Sequence, residues 1–202
     1  MSDRRVLCVF KNKEYKPEDI TLIRSSLLGY INRKKLGLRF SNIRVSNQNI
    51  QVDIYLDNNN KPASVRTVLG GWLDIVDVVD LSVDRYAGMR SESIINMAVE
   101  LFNQERFWEF HEAIEAVWRS EPPGPRKELL QGMILVAASL VHAQKGRVQV
   151  GLGILERGFE KLQSIPPQLR VLFQVDLNDF MVHVESMLAD HKLQPFKIVV
   201  WP

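Results

Sequence analysis

A chain of 202 residues with 46% hydrophobic and 25% charged residues has the composition of an ordinary globular protein of one or two domains, large enough to bury a core without covalent staples. Its formal charge of +2 is too small to argue for nucleic acid, which is not expected as a partner. The single cysteine, Cys8, excludes an internal disulfide framework and a cysteine-based zinc site, and makes a reducing, cytoplasmic compartment the simplest expectation.

The start MSDRR is charged and the apolar run after it, VLCVF, is short, so no secretory signal is expected. The longest apolar tract, Met133 to Val141, is about half of the ~20 residues that span a bilayer, and no membrane segment is expected. Arg33, Lys34 and Lys35 form a modest basic cluster that reads as a solvated helix end.

In chain order, Arg4 to Phe10 reads as a strand and Pro17 to Lys34 as a helix opened by Pro-Glu-Asp. Leu38 to Val45 and Ile50 to Leu56 read as a hairpin closed by Ser46-Asn47-Gln48-Asn49. A second helix over Lys61 to Trp72, ending at Gly70-Gly71, and a strand over Ile75 to Val83 complete the order β-α-β-β-α-β. That order predicts a ferredoxin-like sandwich over residues 1–85, with both helices on one face of an antiparallel sheet. The alternation of Ile50, Val52, Ile54 and Leu56 with Gln51, Asp53 and Tyr55 predicts one covered and one solvated face.

Asp84 to Ser93 reads as a boundary, and residues 91–191 as an antiparallel helical bundle. The predicted helices are Ile94 to Gln104, Phe107 to Arg119, Lys127 to Lys145, Val148 to Ser164 and Pro167 to Asp190, separated by Pro122-Pro123-Gly124-Pro125, Gly146 and Pro166-Pro167. Residues 195–202 form a tail in which Phe196 to Trp201 reads as a strand in need of a sheet. The edge of the amino-terminal sheet, in this chain or in a second copy, is the expected acceptor, which also makes a homo-oligomer an expectation. The fold class is therefore α+β, in two parts.

The polar residues that need explaining lie on the second and third helices of the bundle. Steps of three and four place Phe107, His111, Ile114, Glu115 and Trp118 on one helical face, which puts His111 on the apolar stripe and Glu115 beside it. A His and a Glu one turn apart can share a metal ion or a proton. On the next helix Gln131, Leu135, Ala138 and His142 fall in a line, with the two polar ends on the order of 16 Å apart at 1.5 Å per residue. Gly132, Ala137, Ala138 and Ala143 suit a close helix approach.

With these residues in place, Ile94 to Leu162 resembles the family known as domain of unknown function 309. The resemblance rests on Asn103, the His111-Glu112 pair, Glu115, Trp118, Gln131, Gly132, Ala137, His142, Gly146 and Gly151. It carries no reaction with it, and this chain departs from it at Phe110, where a small residue is usual.

One reading of these residues is a structural network, in which they hydrogen-bond one another, cap neighbouring helices and fix bundle register, and two functional readings stand beside it. One is a small-ligand-binding or interaction module with a polar network of His111, Glu112, Glu115, Trp118, Gln131 and His142. The alternative is a metal-dependent hydrolase with His111, Glu115 and His142 as candidate ligands and Glu112 in support. HEAIE is not a zinc-protease motif, because Glu115 stands where that motif has its second His.

Overall fold

A computed structural model describes residues 4–56, 62–169, 171–172 and 175–199, and its fold is α+β. The chain divides into two compact units, residues 1–85 with 144–146, and residues 86–143 with 147–202.

The first unit runs β1 (Arg4–Lys11), α1 (Ile20–Arg33), β2 (Arg39–Val45), β3 (Asn49–Leu56), α2 (Pro62–Leu69) and β4 (Ile75–Asp80). Its sheet has the order β2-β3-β1-β4 with every pair antiparallel, the order a ferredoxin-like sandwich requires. Ile23, Leu27 and Ile31 recur every four residues along α1 and are its buried positions. They pack with Val6, Cys8, Phe10, Val52 and Ile54 from the sheet in one apolar core. Trp72 meets Phe10 edge-on at 5.0 Å. At the β2–β3 turn, Ser46 Oγ accepts the amide of Asn49 at 3.0 Å, which fixes the hairpin register.

The second sheet face departs from the expected solvated surface. Gln51 and Asp53 are fully buried, and Arg44 is 1% exposed. Desolvation of Arg44 and Asp53 is offset by their pairing, and Gln51 donates to Asn49 Oδ1 at 2.9 Å. The Asp53 carboxylate accepts from Arg5 at 2.5 Å, from Asn42 at 2.8 Å and from both Arg44 Nη atoms at 3.1 Å. A one-residue bulge makes this possible: the β2–β3 register shifts between Ser41 and Arg44, and Asn42 takes a left-handed φ of 46°. The extra residue aims Asn42 and Arg44 at the same carboxylate while Ile43 stays in the core. Simple alternation cannot reveal a bulge, so the polar face looked solvated.

Cys8 lies in the core strand with no exposure, and burial pushes its thiol up to about 12. Because the thiolate is the reactive species, native protein should leave a colourimetric disulfide reagent unreacted at neutral pH, and denatured protein should release one equivalent of chromophore. At the rim of the sheet, Arg4 donates to Asp80, through Nε at 2.9 Å, and holds that carboxyl down at about 2.

The second unit contains α3 (Ser91–Asn103), α4 (Phe107–Ser120), α5 (Pro125–Gln144), α6 (Val148–Gln163) and α7 (Leu177–Ala189). Phe102 is the hub of its core, with Phe107, Phe110 and Phe196 each at 4.9 to 5.0 Å in edge-on geometry. The α3–α4 corner is a left-handed cap at Glu105, φ 58°. There the Glu105 amide donates to Phe102 O at 2.8 Å and the Arg106 amide to Leu101 O at 2.9 Å, the paired closure of a Schellman turn. Helices α5 and α6 meet through glycines. A Cβ on Gly132 would lie 2.8 Å from Leu162, and one on Gly151 would lie 2.8 Å from Ser139 O, so any larger residue would separate the helices.

Two predicted elements differ. The helix expected from Pro167 begins only at Leu177; before it come a 3-10 turn over Pro167–Leu169 and a two-residue hairpin of β5 (Val171–Leu172) and β6 (Val175–Asp176). Asp176 caps α7 by accepting the amides of Asn178 at 2.8 Å and Asp179 at 3.3 Å, so the helix starts where its first amides find an acceptor. The tail is not a strand of the amino-terminal sheet over residues 196–199. It lies inside the second unit, held at Phe196 and Ile198, where the Asn103 side chain pairs with both backbone groups of Ile198. Residues 200–202 of that expected strand lie outside the described residues. Among the described residues no helix is long and apolar enough to cross a membrane.

Candidate functional site

The apolar face of α4 is Phe107, Phe110, Ala113, Ile114 and Val117, all buried. That face lies to one side of the stripe expected from the sequence. His111, Glu115 and Trp118 stand at its edge, half-buried, rather than in the core.

This edge position brings three predicted residues together. One ligand atom each from His111, Glu112 and Glu115 lies within 4.8 Å of the others. His111 Nδ1 is 3.4 Å from Glu112 Oε1 and 4.0 Å from Glu115 Oε2, yet it is a buried nitrogen with no hydrogen-bond partner among the described residues. The other oxygen of Glu115 accepts from Arg119 at 2.9 Å, which holds the carboxylate in place from the following turn. Farther along, Lys127 Nζ sits 4.7 Å from the centre of the Trp118 ring and donates to Glu121 O at 2.8 Å. Trp118 Nε1 is buried with no hydrogen-bond partner among the described residues.

His142 is not part of this cluster. Among the described residues the metal-capable cluster is His111, Glu112 and Glu115. A Cβ added to Gly151 of α6 would lie 3.5 Å from the Cβ of His142. Gln131 is half-buried beside Gly132, next to the α5–α6 crossing.

The charged residues that sequence reasoning missed are Arg106 and Glu109. Glu109 is 1% exposed and Arg106 9%, and they form a two-point pair at 2.5 and 2.7 Å, the fork geometry that favours arginine. One signal was available. Phe110, Ala113, Ile114 and Val117 keep the spacing of three and four more consistently than the stripe through His111, and Glu109 stands one turn before Ala113. The buried charge of α4 is thus Glu109, and the HEAIE carboxylates are left half-exposed, available to something other than the core.

A ferredoxin-like unit followed by a helical unit with a one-helix His/Glu cluster is the class of protein these features define. Residues 95–153, from α3 into the second turn of α6, match the model of the family described as Domain of unknown function (DUF309). The matched segment contains His111, Glu112, Glu115, Trp118, Gln131 and His142. No curated protein matches the chain.

Proposed function

We propose that the helical unit is a ligand-binding module whose binding point is His111, Glu112 and Glu115, and that the ligand it takes first is a divalent transition-metal cation. The observation that carries this reading is the His111 Nδ1 atom, buried and unpaired beside two carboxylate oxygens at 3.4 and 4.0 Å. An unpaired imidazole nitrogen this close to two anionic oxygens is a place where a shared cation or proton would be stabilised. Nitrogen and oxygen ligands about 2.0–2.2 Å from one ion stand roughly 3–4 Å apart, which is the spacing of these donors.

Imidazole with two carboxylates suits zinc, manganese or iron. Three donors from one helix leave the remaining coordination positions to a small oxygen-bearing ligand. A purely structural role fits less well, since the groups are half-exposed and the buried pairing on α4 belongs to Arg106 and Glu109.

Untagged protein equilibrated with zinc or manganese and then dialysed should retain about one equivalent by elemental analysis. His111→Ala and Glu115→Ala should lose it, and His142→Ala should keep it. No retained metal, or equal retention by His111→Ala, would remove this reading.

A further inference from the structure

The edge of α4 holds two buried polar atoms without a hydrogen-bond partner among the described residues, His111 Nδ1 and Trp118 Nε1. Glu115 stands between them on the same row of the helix, since steps of four and three join the three residues. A cation shared by His111, Glu112 and Glu115 accounts for the first atom. It does not account for the second, because an indole nitrogen only donates and cannot ligate a metal. A buried N–H without an acceptor destabilises the fold, so Trp118 Nε1 calls for an acceptor that no described residue supplies.

The groups around Trp118 decide the charge of that acceptor. Lys127 Nζ lies 4.7 Å from the centre of the indole ring and donates to Glu121 O at 2.8 Å, which fixes a positive charge against the ring. Arg119, the next residue along α4, is held on Glu115 Oε1 at 2.9 Å. The character of the edge therefore changes along its length. His111, Glu112 and Glu115 offer lone pairs to a cation, whereas Trp118, Lys127 and Arg119 offer an N–H and positive charge to an anion. Long side chains on a helix lean toward its N-terminus, which carries the indole from its own turn toward Glu115, about 4.5 Å away along the axis at 1.5 Å per residue. A neutral or cationic ligand would gain nothing from Lys127 and Arg119, and an oxyanion gains from both.

Given the metal reading of His111, Glu112 and Glu115, on which this depends, we infer that the ligand completing that centre is a small oxyanion. One of its oxygens sits on the cation and a second accepts from Trp118 Nε1. Trp118 is then a binding residue for the anion and not for the metal, and Lys127 holds the ring while adding favourable charge. A carboxylate and a phosphate both present two oxygens in this way, so the recognised chemistry is an anionic group with paired oxygens.

The test follows the Trp118 indole N–H by heteronuclear NMR in isotope-labelled, zinc-loaded, full-length protein while acetate or inorganic phosphate is added. That resonance should move in step with binding, and the same additions to zinc-free protein should leave it in place. Trp118→Phe should keep its equivalent of zinc by elemental analysis and bind the anion about tenfold more weakly by calorimetry, the loss expected of one buried hydrogen bond. Lys127→Gln should also keep its zinc and bind more weakly. Whichever of the two anions binds more tightly identifies the source of the oxyanion.

Unchanged affinity in Trp118→Phe, or an indole resonance that neither anion moves, would overturn the proposal and leave water as the partner of Trp118 Nε1. An equal shift without zinc would overturn the bridge between metal and indole. Zinc that the unmodified protein fails to retain removes the metal reading and this inference together, whereas zinc retained with both anions ignored removes this inference alone. If Trp118→Phe does not fold, the indole resonance of the unmodified protein decides.

Discussion

Glu109→Ala should destabilise the helical unit by about 3–5 kcal/mol, the cost of leaving a buried charge without its counter-ion. Glu109 is 1% exposed, and its partner Arg106 is 9% exposed with its fork closed on both carboxylate oxygens. Once the carboxylate is gone, the guanidinium loses those two bonds in a place that water reaches poorly. The loss should appear in urea unfolding followed by helical circular dichroism, as a lower midpoint with little change in slope. Replacing both partners by apolar residues of similar volume, Arg106→Met with Glu109→Leu, should recover most of that stability, because the desolvation of both charges disappears with them. A Glu109→Ala loss below about 1 kcal/mol would place the pair in the energy range of solvated surface bridges, contrary to its burial.

Asp53→Ala should have an effect of similar size, about 3–5 kcal/mol, in the amino-terminal unit. Asp53 is wholly buried and is the shared acceptor for Arg5, Asn42 and Arg44, and Arg44 is itself only 1% exposed. Removing the carboxylate leaves a buried guanidinium without its neutralising charge and an Asn amide without its acceptor. Amide hydrogen exchange should report the damage along β1, β2 and the bulge at Ser41 to Arg44, with the amides of α4 unchanged. Asp53→Asn should be milder, since the amide oxygen still accepts. Asp80→Ala, which removes the partner of the more exposed Arg4, should cost far less. Equal losses for Asp53→Ala and Asp80→Ala would show that burial adds nothing to the Asp53 network.

Secondary structure and sheet order were readable because they depend on local pattern. The alternation in residues 50–56 marks a strand, although both its faces are buried, and the four-residue spacing of Ile23, Leu27 and Ile31 marks the inward face of a helix; short turns then leave few topologies. The His111-Glu112 and Glu115 cluster was also readable, since residues one turn apart on a helix are neighbours whatever surrounds them.

What failed to show in the linear pattern needed a third dimension. The Asp53 network draws on residues 5, 42, 44 and 53, and it forms only because one inserted residue turns β2. Glu109 was overlooked because a buried carboxylate and an exposed one look alike in sequence until the partner, Arg106, is placed by the left-handed turn at Glu105. The tail reads as a strand because alternating Phe196 and Ile198 suit any extended chain. Whether such a chain joins a sheet or a helical groove depends on where its backbone finds partners, and here that partner is the Asn103 side chain, 95 residues away in sequence.

Local periodicity thus dictates the elements, their order and the one-turn cluster on α4, because those rest on interactions between residues close in the chain. Which polar groups are buried, which carboxylate on α4 lies in the core and where the tail lies were decided by tertiary packing. Burial of charge and satisfaction of backbone groups depend on residues that only the folded chain brings together.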